Sequence, residues 1–75
     1  MRVHVTLYGE LKRYVNSGAT TLDVAEGTTV AQLLDDLGVD RRHPRITAVH
    51  DDVVDESHVL ADGDHLEVLH AIAGG

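Results

Sequence analysis

Thr29-Val30-Ala31-Gln32-Leu33-Leu34-Asp35-Asp36-Leu37-Gly38 is the stretch on which the fold turns. Thr29 is a good N-cap and Gln32 stands three residues on. Together they make a capping box, in which each side chain satisfies a backbone N–H that the first helical turn leaves without a partner. Val30, Leu33, Leu34 and Leu37 then fall at i, i+3, i+4 and i+7, a single apolar stripe. Asp35 and Asp36 lie off that stripe, and Gly38 supplies the stop. This is one short amphipathic helix with one face to bury, so a sheet must be there to receive it.

The flanking sequence supplies the strands. Upstream, Val3, Val5 and Leu7 alternate with His4, Thr6 and Tyr8, a period of two that marks a half-buried strand. Residues 10–17 carry Leu11, Tyr14 and Val15 at helical spacing, in a short helix or an ordered loop. Residues 20–24 form a second strand, with Leu22 and Val24 on one face. Downstream, residues 41–45 make a polar connection holding the only proline, Pro44. Residues 46–49 are a third strand, ended by an Asp51-Asp52 turn, with Val53-Val54 as a short return. Residues 55–61 are irregular and anchored by Val59 and Leu60. Asp62-Gly63-Asp64 reads as a tight turn, because glycine tolerates positive φ and the Asp side chains can accept from local amides. Residues 65–70 form the last strand, with Leu66 and Val68 inward. The order predicts an α+β domain with a mixed sheet, its first and last strands side by side at the centre. Residues 1–70 make the domain and residues 71–75 a tail.

Composition narrows the function. A chain of 75 residues holds one domain. With no Trp, Phe or Cys, its core must be built from Val, Leu, Ile and Ala, and disulfide and thiolate chemistry are excluded. A formal net charge of −7 argues against nucleic acid, whose binding needs clustered Lys and Arg. The acidity serves solubility or steers the domain toward a basic face on a protein partner. No stretch has the length and apolarity of a signal peptide or a membrane span, so a cytoplasmic protein without membrane contact is expected.

The tail, Ala71-Ile72-Ala73-Gly74-Gly75, carries the chemistry. By average glycine usage, two final glycines are a coincidence of roughly one in two hundred. They end the five-residue run that follows the last strand, which extends to roughly 17 Å. A glycine pair is a thin thread with no Cβ atoms, able to enter a narrow active site. There the α-carboxylate of Gly75 would meet a nucleotide and become an acyl-adenylate, and a sulfur nucleophile would displace the nucleotide. The domain would position the acyl group while another enzyme does the chemistry.

On these residues the chain resembles the MoaD/ThiS family of ubiquitin-like sulfur carriers. The resemblance runs through Val3-His4-Val5-Thr6-Leu7-Tyr8, Glu10-Leu11-Lys12-Arg13-Tyr14 and Glu26-Gly27-Thr28-Thr29-Val30-Ala31-Gln32-Leu33-Leu34. It continues through Leu60-Ala61-Asp62-Gly63-Asp64 into the Gly74-Gly75 end. It implies a β-grasp fold and a protein that is a carrier and not an enzyme. No cofactor is implied in the domain itself, since ATP is consumed on a ubiquitin-activating-type adenylyltransferase. A persulfide donor such as a cysteine desulfurase would convert Gly75 to a thiocarboxylate. The acceptor would be a synthase subunit, of the molybdopterin type first and the thiamin thiazole type second. Two features depart from the pattern: His50-Asp51-Asp52 replaces an Asn-Gly turn, and His70-Ala71 stand where prolines are common. Two other readings stay open, a protein modifier joined to lysines through Gly75 and a plain β-grasp interaction module.

The remaining candidates have plain explanations beside the functional ones. Leu69 points away from Leu66 and Val68, as an ordinary exposed leucine or, by analogy with the family, as part of a docking patch. Ile72, Ala73 and Gly74 would line the activating enzyme's channel, with Ile72 as the apolar anchor. The six histidines (His4, His43, His50, His58, His65 and His70) show no paired zinc-ligand spacing, so no metal is expected and solvated surface positions are the default. Asp51, Asp52, Asp55 and Glu56 lack calcium-loop spacing and read as a solvated acidic rim.

Overall fold

The structure is a computed structural model that describes residues 1–40 and 42–70, with Asn16 described by its backbone alone. Strand β1 (Arg2–Leu7) runs into a 3-10 helix (Gly9–Tyr14), a second short 3-10 turn (Asn16–Gly18) and β2 (Ala19–Asp23). Helix α1 (Val30–Asp36) leads to the β3 (Arg45–Val49) and β4 (Asp52–Val54) pair, and β5 (His65–His70) closes the order. The five-stranded sheet has the order β2-β1-β5-β3-β4. β1 and β5 are parallel neighbours, with Val5 opposite Leu66 and Leu7 opposite Val68, and the other pairings are antiparallel. The first and last strands therefore lie side by side, as the order of elements predicts.

Helix α1 is built as its sequence dictates. The Gln32 amide donates to Thr29 Oγ1 at 3.2 Å and the Thr29 amide donates to Gln32 Oε1 at 2.9 Å, completing the capping box. The next two N–H groups, of Val30 and Ala31, donate to the carbonyls of His58 and Glu56. The irregular segment 55–61 is thereby fixed on the start of the helix. At the other end Gly38, at φ +80°, donates to Asp35 and Val39 donates to Leu34. That pair of bonds is a Schellman motif, and it folds Val39 back into the core beside Leu34.

Val3, Val5, Leu7, Leu66 and Val68 from the two middle strands meet Val30, Leu33 and Leu34 from the helix, each at most 1% exposed. Leu11, Val39, Val49 and Leu60 close the edges. Leu37 contributes only at the margin. Of the two apolar anchors expected in segment 55–61 only Leu60 is buried; Val59, although it bridges Thr29, is 56% exposed.

Two turns refine the sequence reading. Asp64 Oδ2 accepts from the local Ala61 amide at 2.8 Å as expected, but Asp62 Oδ1 accepts from the Arg2 amide at 2.7 Å and so ties the turn to β1 instead of bonding within it. The β3–β4 turn lies one residue earlier than Asp51-Asp52, because Val49 pairs with Asp52. The loop is therefore His50-Asp51, at φ +51° and +71°. A two-residue hairpin turn needs left-handed backbone at both positions to match strand twist, which is the reason Asn-Gly suits such sites. L-residues there are strained. Asp51→Gly is expected to raise unfolding stability by roughly 0.5–1 kcal/mol, read as a higher urea midpoint with an unchanged slope. A lowered midpoint would count against the strain.

Candidate functional site

The proposed reacting group, Gly75, lies outside the described residues, as do Gly74, Ala73 and Ile72. What the structure describes is the surface from which they follow. β5 occupies the middle of the sheet and ends at His70. Its inward residues Leu66 and Val68 are fully buried, while Leu69 points to the other side and is 40% exposed. The single-residue alternation of a strand is the cause.

The open face of the sheet divides into two halves. On one side Leu69 stands opposite Ile46, which is 46% exposed. Ala48 pairs with Val53 on one flank and Glu67 on the other, and Val53 is 76% exposed. Leu69, Ile46 and Val53 thus form an apolar patch continuous with the end of β5. Sequence reading found Leu69 and missed the other two. Ile46-Thr47-Ala48-Val49 offers no polar–apolar contrast to tell its faces apart. The two-residue hairpin register would have placed Val53 beside Ala48.

The other half is polar and internally bonded. His4 Nδ1 and Thr21 Oγ1 are 2.9 Å apart, and Thr6 Oγ1 and His65 Nε2 are 2.8 Å apart. The Tyr8 hydroxyl donates to Glu67 Oε2 at 2.8 Å. Because that bond uses the phenolic proton and sets it beside a carboxylate, the Tyr8 pKa is raised above the usual tyrosine value. This network fixes the outer side chains of β1 and β5 in register up to the foot of the patch.

At the end of β5, residues remote in sequence converge. His43 and His70 lie ring to ring at 5.0 Å, edge on, and the Tyr14 ring stands 6.5 Å from His43. Glu10 joins them, so that one donor atom from each of Glu10, His43 and His70 lies within 4.8 Å of the others. The solvated-histidine expectation fails here: both rings are half-buried, and Nδ1 of each is buried without a hydrogen-bond partner. The acidic rim also loses a member. Glu56 makes a two-point bridge to Arg45 at 2.7 and 2.8 Å, and the Arg45 side chain is only 6% exposed. Arg45 also donates to the Asp40 carbonyl, which pins the connection carrying His43. The Arg42 amide and guanidinium, in turn, hold the Asp40 carboxyl below the usual aspartate range.

A mixed β-sheet in this order, with one main helix on a single face and a carboxyl-terminal strand at its centre, defines a ubiquitin-like β-grasp protein. Residues 5–75 match the model of the ThiS family, and the chain belongs to that family. No curated protein matches it in sequence. Among solved structures it is similar to SAMP1 of Haloferax volcanii, at 19% identity over 100% of both chains and a TM-score of 0.79. It is similar to a chain of the complex of subunits 1 and 2 of the molybdopterin-converting factor from Helicobacter pylori, at 20% identity over 100% of both chains and a TM-score of 0.68. It is also similar to the thiamine biosynthesis protein ThiS of Geobacter metallireducens, at 25% identity over 96% of this chain and 99% of the other, with a TM-score of 0.60. Among the described residues no helix is long and apolar enough to cross a membrane.

Proposed function

We infer that this protein is a sulfur carrier. Its Gly75 carboxylate attacks the α-phosphate of ATP on an adenylyltransferase, with loss of pyrophosphate. The terminal sulfur of a persulfide on a donor such as a cysteine desulfurase then displaces AMP to form an acyl disulfide. A second thiol attacks the donor's sulfur of that bond, releasing the thiocarboxylate and leaving the two thiols joined as a disulfide. The observation that carries this reading is the family match, which runs through the Gly74-Gly75 end and not only through the folded domain. The apolar patch supports it, since a carrier must dock first on an activating enzyme and then on an acceptor. For the acceptor, a molybdopterin-type synthase subunit is placed first, because a similar chain is described in complex with its second subunit. A thiazole-forming enzyme comes second.

The deciding experiment is intact mass after incubation with ATP, a sulfur donor and a cognate activating enzyme. The expected result is the gain from replacing one oxygen by sulfur, localised to Gly75. An unchanged mass, with the same enzyme loading a known carrier, would overturn the reading. A modifier role rests on the likeness to a protein described as a small archaeal modifier. It shares the adenylate, and lysine-linked adducts through Gly75 in native extract are its distinguishing product.

The patch gives a separate prediction. Leu69→Asp places a charge within an apolar docking surface, where a buried anchor is typically worth 2 kcal/mol or more. The half-saturating carrier concentration for adenylation should rise at least about tenfold. Thr21→Asp, on the polar half of the same face, should change it little. Equal effects at both positions would remove the patch from the docking surface.

A further inference from the structure

We propose that Glu10, His43 and His70 form a binding site for a divalent transition-metal cation, with zinc as the best match. The donors are two imidazoles and one carboxylate, the set that three-ligand zinc sites use while leaving a fourth position open. A tetrahedral ion with bonds of about 2.1 Å wants its donors about 3.4 Å apart. The three donor atoms here already lie within 4.8 Å of one another. Small rotations of the exposed Glu10 and of the two rings close that difference.

The neighbouring structure sets this cluster apart from a chance meeting of surface groups. Each donor comes from a different element: Glu10 from the 3-10 helix, His43 from the connection before β3, and His70 from the last position of β5. The backbone at Gly9 passes so near β5 that an added Cβ would sit 3.4 Å from the Cβ of His70, which brings Glu10 close. The amide of His43 donates to the carbonyl of Asp40, and Arg45 holds that same carbonyl. The backbone that carries His43 is thus held in place independently of its ring.

The second observation is the state of the nitrogens. His4, His50 and His65 each have a side-chain partner, Thr21, Asp64 and Thr6 respectively. His43 and His70 instead keep Nδ1 buried with no hydrogen bond. Buried polar atoms without partners are uncommon, and an ion or ordered water is the usual explanation. An ion shared by both rings supplies a reason for placing them together in a half-buried position. Since His70 directly precedes residue 71, a bound cation would clamp the point where the tail begins to the 3-10 helix and to the β3 connection. It would also stabilise the fold by mass action. The proposal does not depend on the carrier reading, because it concerns the unloaded domain.

The test uses untagged, chelator-stripped protein titrated with zinc chloride against a competing indicator. One equivalent should bind saturably. Glu10→Gln should weaken binding at least about tenfold and the His43→Ala/His70→Ala pair at least about 100-fold, no less than the loss of a residue behind a ligand. His4→Ala should leave the affinity unchanged. The same titration followed by NMR on unaltered protein needs no variant to fold: the imidazole resonances of His43 and His70 should shift and those of His4 and His65 stay. Absence of saturable binding, affinity retained in the double variant, or shifts at His4 and His65 instead would each overturn the site.

Discussion

Removal of Gly75 is expected to abolish the gain of sulfur while leaving the domain folded. The shortened chain still ends in a glycine carboxylate, now that of Gly74, so the chemistry of the group is unaltered. Its position is not, because one residue of extended chain is about 3.5 Å. A misplacement of about 1 Å at a reacting centre can already cost about a hundredfold. Adenylation should therefore fall by at least that factor, measured as ATP–pyrophosphate exchange and by intact mass. Folding should be untouched, since every buried apolar residue among those described lies between Val3 and Val68. Extending the chain beyond Gly75 should have the same effect by another route, converting the acyl donor into an amide. Thiocarboxylate formed on the shortened chain at the normal rate would sink the carrier proposal.

Leu66→Ala carries the largest expected cost to stability. Leu66 is wholly buried on the central strand, opposite Val5 on one side and Val49 on the other. Truncation of a buried leucine costs about 2–5 kcal/mol through lost transfer energy and the cavity left behind. At roughly 0.05–0.15 kcal/mol per residue, a domain of 75 residues has only about 4–11 kcal/mol in total. The variant should thus lose a large fraction of its stability, with a melting midpoint lower by at least about 10 °C. Leu69→Ala is the informative companion. Three residues on along the same strand, it faces outward, and its urea midpoint should move by less than about 1 kcal/mol equivalent. Similar losses at the two positions would mean that the inward and outward faces of β5 have been misassigned.

Local features were legible because their causes are local. The capping box at Thr29 and Gln32, the helical stripe and the alternation along β1 and β5 each arise from side chains within a few residues of one another. The Asp62-Gly63-Asp64 turn could be read for the same reason where Asp64 accepts from the nearby Ala61 amide, whereas the bond from the Arg2 amide to Asp62 spans 60 residues and belongs to the tertiary fold. The β3–β4 turn was placed one residue late because an Asp pair looks like a turn by composition. Backbone register, which composition does not record, assigns the left-handed positions to His50 and Asp51. Val39 was missed because it follows the helix stop, and only the Schellman geometry returns it to the core.

The sequence by itself determined the α+β order, the central pairing of the first and last strands and the inward residues of β5. The tertiary structure alone decided which distant residues meet. Ile46 and Val53 join Leu69 because β3 lies between β4 and β5, a fact of strand order that no spacing within one strand encodes. Arg45 reaches Glu56, and Glu10, His43 and His70 come together, because three connections converge near the end of one strand. Periodicity reports how a segment buries itself, which short-range sterics and hydrophobicity control. Convergence depends on how segments pack, and that is settled only when the sheet closes around its core.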